Sequence, residues 1–235
     1  KALRDEPDIS TATKNRIRAI AQKSGYVPNI SARGLRTRQT NQFGLIISAL
    51  SNPMYTRTFM AIEELAHEMG YEIIVAQTLN NPEREETCIR RLLARQVDGL
   101  FIRPVYRADP KVTIYEELKN HHTPTVILGH RALFCNDFPN VETDDLAASK
   151  ALTEHLLDLG HKRIACLTGP TFAPWAQERY EGYKRGLVDH GIEVDDKLVF
   201  QAGATIEEGA KAALEYIQET PNATAMVAAN DLVAF

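Results

Sequence analysis

The sequence predicts an α/β protein of two lobes, each containing a doubly wound parallel sheet. Apolar runs alternate with amphipathic segments from Phe43 onward. The runs are mostly apolar and show no regular polar alternation, which is typical of parallel strands buried on both faces. No internal repeat or low-complexity tract interrupts this alternation. The predicted strands are Phe43–Ser48, Glu72–Ala76, Gly99–Ile102, Thr125–Leu128, Ile164–Leu167 and Ala223–Ala228.

The segments between these runs have the periodicity of helices that pack on a sheet. In Thr58–Met69, for example, Phe59, Ile62 and Leu65 share one face. Because ligands of open α/β sheets bind beyond the carboxyl ends of the strands, the cleft between the lobes is the expected ligand site. The other predicted helices are Pro82–Arg95, Leu146–Leu159, Gln177–His190 and Ile206–Gln218.

Composition is that of a globular protein, with 44% hydrophobic and 25% charged residues among 235. No apolar run is long enough to span a bilayer, and no export signal opens the chain, which begins at Lys1. Cys88, Cys135 and Cys166 lack metal-ligand spacing, so we expect reduced, buried thiols in the cytoplasm.

Charge is unevenly distributed along the chain. Residues 1–41 contain nine Lys and Arg against three Asp and Glu, a net charge of +6, whereas the remainder carries −10. A basic arm on an acidic body predicts that the arm binds a polyanion such as DNA, although a solvated tail would have the same composition.

The basic arm contains two predicted helices. Thr11–Lys23 has Ser10 as its N-cap and Gly25 as its left-handed cap. The segment Ile30–Arg36 is too short to be a stable helix alone, but it can order on binding. Its single Leu35 among arginines suits an element that binds the minor groove of DNA. In such an element the basic side chains contact phosphates, and an apolar side chain inserts between adjacent base pairs.

The search for catalytic motifs is negative. The chain has no phosphate-binding glycine motif and no nucleophile elbow, and His121-His122 lacks the spacing of metal ligands. The adjacent acids Asp144-Asp145 and Asp195-Asp196 are interpreted as helix-start and loop charges. We therefore predict no enzyme, no cofactor and no metal.

The order of several motifs resembles the lactose-repressor (LacI/GalR) family of transcription regulators. The resemblance begins at Gly25-Tyr26 with Pro28-Asn29, continues through Ala32-Arg33, and covers almost the whole chain. The core motifs are Ser51–Tyr55, Gln96–Leu100, Gly160–Ile164, Thr168–Pro170 and Ala229–Asp231. The resemblance implies a periplasmic-binding-protein-like core of type I, preceded by a partial helix-turn-helix headpiece and a hinge helix.

By this resemblance, both ends of a longer protein are expected to be missing, including most of the recognition helix, whose tail would be Lys1. The implied domains are 1–28 for the headpiece, 29–41 for the hinge and linker, 42–160 for the N-terminal lobe and 161–235 for the C-terminal lobe. The implied DNA-binding residues are Lys1, Asn29, Ser31, Ala32, Arg33, Leu35 and Arg36.

Three candidate effector-binding residues have alternatives. Arg179 matches the family's cleft arginine, but it could instead pair with Glu178 or Glu181 in solvent. Asp231 matches the family's cleft aspartate, but it could instead cap a following helix. Trp175, expected in a loop above the cleft, could stack on a sugar or base or pack between lobes.

Asn52, Tyr55 and Asp144 are weaker candidates for effector binding, chosen by their position only.

The resemblance implies a repressor whose operator affinity depends on a small effector. The effector is expected to be a carbohydrate or its phosphate, with purines as the alternative. Paired operator half-sites imply a homodimer, and no membrane partner is expected. A periplasmic-type sugar-binding protein without DNA binding is the alternative function, and a Rossmann-type enzyme would need the absent glycines.

Overall fold

The computed structural model of the protein describes residues 7–26, 39–219 and 222–235. The chain divides into two units, Lys1–Asn41 and Gln42–Phe235. The predicted hinge segment Ile30–Arg36 lies outside the described residues.

The first unit contains helix α1, Thr11–Lys23. Ser10 caps its N-terminus, since the Ser10 hydroxyl accepts a hydrogen bond from the Thr13 amide. Gly25 follows the C-terminus with a φ of +63°, in the left-handed region that glycine adopts without strain. The predicted helix and both of its predicted ends are confirmed.

The second unit contains a five-stranded sheet and a three-stranded sheet, and every recorded strand pair in them is parallel. All six predicted strands form, with ends displaced by at most two residues. Two short edge strands, β5 and β7, were not predicted. The first sheet has the order β2-β1-β3-β4-β5, with strands β1 Gln42–Ile47, β2 Glu72–Gln77, β3 Gly99–Ile102, β4 Thr125–Leu128 and β5 Asn140–Val141. The second has the order β7-β6-β8, with β6 Ile164–Thr168, β7 Val199–Gln201 and β8 Ala225–Ala228.

Three helices connect the strands of the first sheet: α2 Pro53–Glu68, α3 Pro82–Ala94 and α4 Thr113–Asn120. Helix α2 begins five residues before the predicted Thr58, because Asn52 caps it and Pro53 occupies its first turn. Helix α4 was not predicted, since its eight residues show only two turns of periodicity. It nevertheless buries Ile114, Tyr115 and Leu118.

Four helices accompany the second sheet: α5 Asp145–Asp158, α6 Pro174–Asp189, α7 Ile206–Glu219 and the single turn α8 Asp231–Ala234. Helices α5 and α6 pack closely. Gly182 on α6 permits this contact, since a Cβ at that position would collide with the Leu146 carbonyl oxygen on α5. Helix α5, predicted to precede the lobe boundary, thus packs with the second sheet. The domain limits themselves stay predictions.

All three cysteines are buried and form no disulfide. Burial raises the pKa of the Cys135 thiol to about 11 and that of Cys166 to about 12. Both thiols are therefore protonated at neutral pH and behave as small apolar side chains. Within the described ranges, no helix combines the length and apolar character needed to cross a membrane.

Candidate functional site

A cleft of about 590 Å³ lies where strands of both sheets end. Because every strand pair is parallel, the segments that follow β1, β2, β3, β6, β7 and β8 meet at its walls. The lining includes Asn52, Tyr55, Arg103, Tyr106, Trp175 and Asn230. This is the position at which the sequence places a ligand.

Asn52 and Tyr55 form part of the wall contributed by the first sheet. Asn52 Oδ1 accepts a 3.0 Å hydrogen bond from the Met54 amide, so its side chain also fixes the start of α2. Tyr55 lies one turn further along that helix, and its ring centroid is 6.0 Å from Arg103 Cζ. Two candidates chosen by position alone therefore lie together in the cleft.

Arg103 and Tyr106 follow β3 directly. Arg103 Nη1 donates to the Leu128 carbonyl oxygen at 3.1 Å and to the Tyr106 hydroxyl at 3.2 Å. Burial raises the pKa of Tyr106 to about 12. Its hydroxyl thus stays protonated and donates to the His130 carbonyl oxygen at 2.8 Å.

The loop after β3 is held by a carboxylate that the sequence analysis did not identify. Glu85, on α3, is fully buried, and burial raises the pKa of its carboxyl group. Its Oε1 accepts hydrogen bonds of 2.8 Å from the Val105 amide and from the Tyr115 hydroxyl, while Oε2 pairs with Arg107. Glu85 therefore positions the backbone that carries Arg103 into the cleft.

Trp175 lies in the first turn of α6 and not in the predicted loop. The prediction was wrong because Pro174 starts the helix there, after Ala173. The indole is 9% exposed and packs in a cluster with Ala229 and, from the first sheet's side, Tyr106. It both lines the cleft and packs between the sheets, and its stacking on a ligand stays a prediction.

Arg179 pairs with Asp145 and not with Glu178 or Glu181. Its Nη2 and Nε lie 2.9 and 3.1 Å from Asp145 Oδ1. Its Nη1 donates to the carbonyl oxygen of Ala229. The guanidinium therefore joins the second turn of α6 to the first turn of α5 and to the end of β8.

Arg179 and Asp231 line a smaller neighbouring cavity of about 340 Å³ that lies against the second sheet. Asp231 does not cap the helix it begins, since the Asn230 side chain accepts the bond from the Val233 amide at 3.0 Å. Asn230 lines both cavities. The cap considered for Asp231 is therefore supplied by its neighbour.

The adjacent acids Asp144 and Asp145 have different environments. Asp144 is exposed and caps α5, accepting a 2.9 Å hydrogen bond from the Ala147 amide, so it is not in the cleft lining. Asp145 is buried, and its Oδ2 lies 3.6 Å from His130 Nδ1. His130, which follows β4, also reaches Glu178 Oε2 on α6 at 2.8 Å. Asp145 and Glu178 thus connect the second sheet's helices to the first sheet.

The predicted DNA contacts Lys1, Asn29, Ser31, Ala32, Arg33, Leu35 and Arg36 lie outside the described residues. The sequence analysis missed Arg103, Tyr106, His130 and Asp145 as cleft or interlobe residues. Arg103 could have been found, because it directly follows a predicted buried strand at its carboxyl end. His130 could not, since its partners are distant in sequence.

Residues 40–235 match a family model described as periplasmic binding proteins and the sugar-binding domain of the LacI family. Among curated relatives, catabolite control protein A of Priestia megaterium is 29% identical over 235 residues, covering 100% of this chain and 70% of that protein. This chain spans about two thirds of the length of the curated relatives it matches.

Solved structures show the same similarity. The Cra transcriptional dual regulator of Pseudomonas putida, in complex with fructose 1-phosphate, is 26% identical with a TM-score of 0.74, over 83% of this chain and 70% of that one. A complex of the transcriptional regulator CelR with cellobiose is 25% identical with a TM-score of 0.70, over 99% and 69%.

A double-mutant cycle on Asp145 and Arg179 tests the ion pair between α5 and α6. Asp145→Ala and Arg179→Ala should show a coupling free energy of about 1–3 kcal/mol in urea unfolding, because each single change leaves a charge without its partner. Lys119 and Asp137, both more than half exposed, provide the control pair and should show no resolvable coupling. Equal coupling in the two cycles would contradict the structural importance of Asp145.

Proposed function

The chain belongs to the LacI family of transcription regulators, and we propose that it forms part of a sequence-specific DNA-binding repressor. A small effector, bound in the cleft between the two sheets, changes the repressor's affinity for its operator. Asn52, Tyr55 and Trp175 contact the effector, and Arg179 and Asp231 extend the site from the neighbouring cavity.

The observation that carries this proposal is the cleft itself. Its volume of about 590 Å³ suits a mono- or disaccharide-sized ligand, and residues from both sheets line it. A ligand that touches both walls is sensitive to their relative orientation. Such a ligand can therefore favour one arrangement of the two sheets over another.

A carbohydrate or a sugar phosphate is the proposed effector class. The flat rings of Tyr55 and Trp175 offer apolar faces for a sugar ring, and the Asn52 and Asn230 amides offer hydrogen bonds to hydroxyl groups. Two structurally similar regulators were solved with cellobiose and with fructose 1-phosphate, which supports this class over purines.

DNA binding is proposed for the basic segment. The +6 charge of residues 1–41 is suited to phosphates, and Leu35 beside Arg33 and Arg36 is suited to the minor groove. The curated relatives include the transcriptional regulator DegA and the transcriptional repressor CytR, both described as helix-turn-helix type. These observations favour a repressor over a periplasmic-type sugar-binding protein. The cytoplasm is the proposed location, because a DNA-binding repressor acts where the DNA is.

A homodimer follows from operator geometry, because paired half-sites require paired DNA-binding units. Helix α2 supports this proposal with an apolar stripe on one flank. Met54, Leu65 and Met69 are 51%, 59% and 63% exposed and fall within about 60° of one another around a helix of 3.6 residues per turn. A second copy of the chain is the proposed occupant of this stripe.

Effector binding is tested by intrinsic fluorescence, since Trp175 is the only tryptophan in this sequence. Titration of the full-length protein with sugars, sugar phosphates and purines should give a saturable change with one class. Tyr55→Ala should weaken the affinity at least tenfold, because it removes one wall of the cleft. Met60→Ala, on the same helix but outside the cleft lining, is the matched control.

In the same titration, Trp175→Phe separates the signal of this residue from that of any tryptophan elsewhere in the protein. Equal affinities for the Tyr55→Ala and Met60→Ala variants would place the effector outside the proposed cleft.

The homodimer is tested by analytical ultracentrifugation of a Leu65→Asp, Met69→Asp variant, which should sediment as a monomer. Two carboxylates buried in an apolar interface would be strongly unfavourable. Met60→Asp, equally exposed on the opposite flank of α2, should leave the dimer intact. A dimeric double variant with a native melting curve would show that the interface lies elsewhere.

A further inference from the structure

Arg103 is a cation placed at the floor of the cleft by two backbone features. It is the first residue after β3, so it projects at the carboxyl edge of the first sheet. Gly129 makes room for it, because a Cβ there would collide with Arg103 Nη1, and the Gly129 φ of +102° suits only glycine. The chain therefore accommodates a guanidinium group at this point.

Among the described residues Arg103 forms no ion pair, although the buried carboxylate of Asp145 is near enough to interact with its charge. Within the described part of the chain, no carboxylate oxygen lies within ion-pair distance of it. Its Nη1 donates hydrogen bonds to the Leu128 carbonyl oxygen and the Tyr106 hydroxyl, and the Tyr55 hydroxyl is a further hydrogen-bond partner of the Arg103 side chain. Arg107 and Arg179, by contrast, each pair with a buried carboxylate, Glu85 and Asp145.

Two acidic residues, Glu207 and Glu208, lie on the opposite wall of the cleft from Arg103. Glu208 Oε2 accepts hydrogen bonds of 2.8 and 3.0 Å from the amides of Ala204 and Thr205, so it stabilises the start of α7. Glu207 is exposed in the first turn of the same helix. Neither of these two acids forms an ion pair with Arg103.

We propose that Arg103 recognises an anionic group on the effector, a phosphate or a carboxylate attached to a sugar. The planar guanidinium can offer Nε and Nη2 to two oxygens at once, which a compact ammonium group cannot do. The Tyr55 and Tyr106 rings beside it, with centroids 6.0 and 5.1 Å from Cζ, hold the guanidinium plane. This inference rests on the proposed function, because it selects among effectors of the same cleft.

The test is isothermal titration calorimetry of the full-length protein with matched compounds. The pairs are fructose with fructose 1-phosphate, and glucose with glucose 6-phosphate and glucuronate, with inorganic phosphate as a competitor. At least one anionic compound should bind tenfold or more tightly than its neutral partner. A preference for glucose 6-phosphate assigns the group as a phosphate, and a preference for glucuronate assigns it as a carboxylate.

Arg103→Gln should abolish that preference, whereas Arg57→Gln should retain it, because Arg57 is exposed on α2 and does not line the cleft. Arg103→Lys keeps the charge but loses the paired donors, so it should retain only part of the preference. The melting temperature of each variant shows whether it is folded.

Equal or tighter binding of the neutral member in every pair would overturn the anionic assignment while leaving effector binding intact. An unchanged preference in folded Arg103→Gln would overturn the role of this residue. Failure of every anionic compound and of phosphate to bind would also overturn the assignment. If neutral sugars still bind in that case, the proposed function stands and only the anionic assignment is wrong. If no compound binds, both the proposed function and the anionic assignment are contradicted.

Discussion

Parallel strand pairing is the constraint on which the rest of the molecule depends. In a parallel sheet every strand ends at the same edge, so the loops that follow β1, β2 and β3 are collected at one place. The second sheet collects the loops after β6, β7 and β8 in the same way. The cleft is the space between these two loop-bearing edges, and its side chains come from six separate stretches of sequence.

Buried charged side chains hold in position the loops and helices that the strand topology brings close together. Asp145 joins Arg179 to His130, and Glu85 holds the loop that carries Arg103. A buried carboxylate is tolerated only where donors surround it, so each of these acids specifies the position of its partners. Arg103 differs because it forms no ion pair with any residue that the structure describes, which is why we propose that it binds an anionic ligand group. The interlobe contacts of Asp145 and Glu178 with His130 join the second sheet's helices to the first sheet.

Much of this architecture could be predicted because it follows from local patterns. Continuous apolar runs located all six longer strands, and Ser10 with Gly25 located both ends of α1. The edge strands β5 and β7 escaped, since two or three residues show no periodicity. Asn52 and Tyr55, chosen by their position after a strand, line the cleft, and their contact with an effector stays a prediction. Trp175 was expected in a loop because the helix-starting role of Pro174 was overlooked. Sequence alone could not separate Asp144 from Asp145, because burial distinguishes them and burial is set by distant residues.

The most direct measurement is the affinity of the full-length protein for its operator, followed by fluorescence anisotropy with and without a saturating effector. Coupling between distinct sites is typically about 1–3 kcal/mol, so the operator dissociation constant should change roughly 5- to 150-fold. The change should disappear in Tyr55→Ala, while operator affinity without effector stays as in the native protein. An operator affinity that does not respond to a compound bound in the cleft would contradict the account.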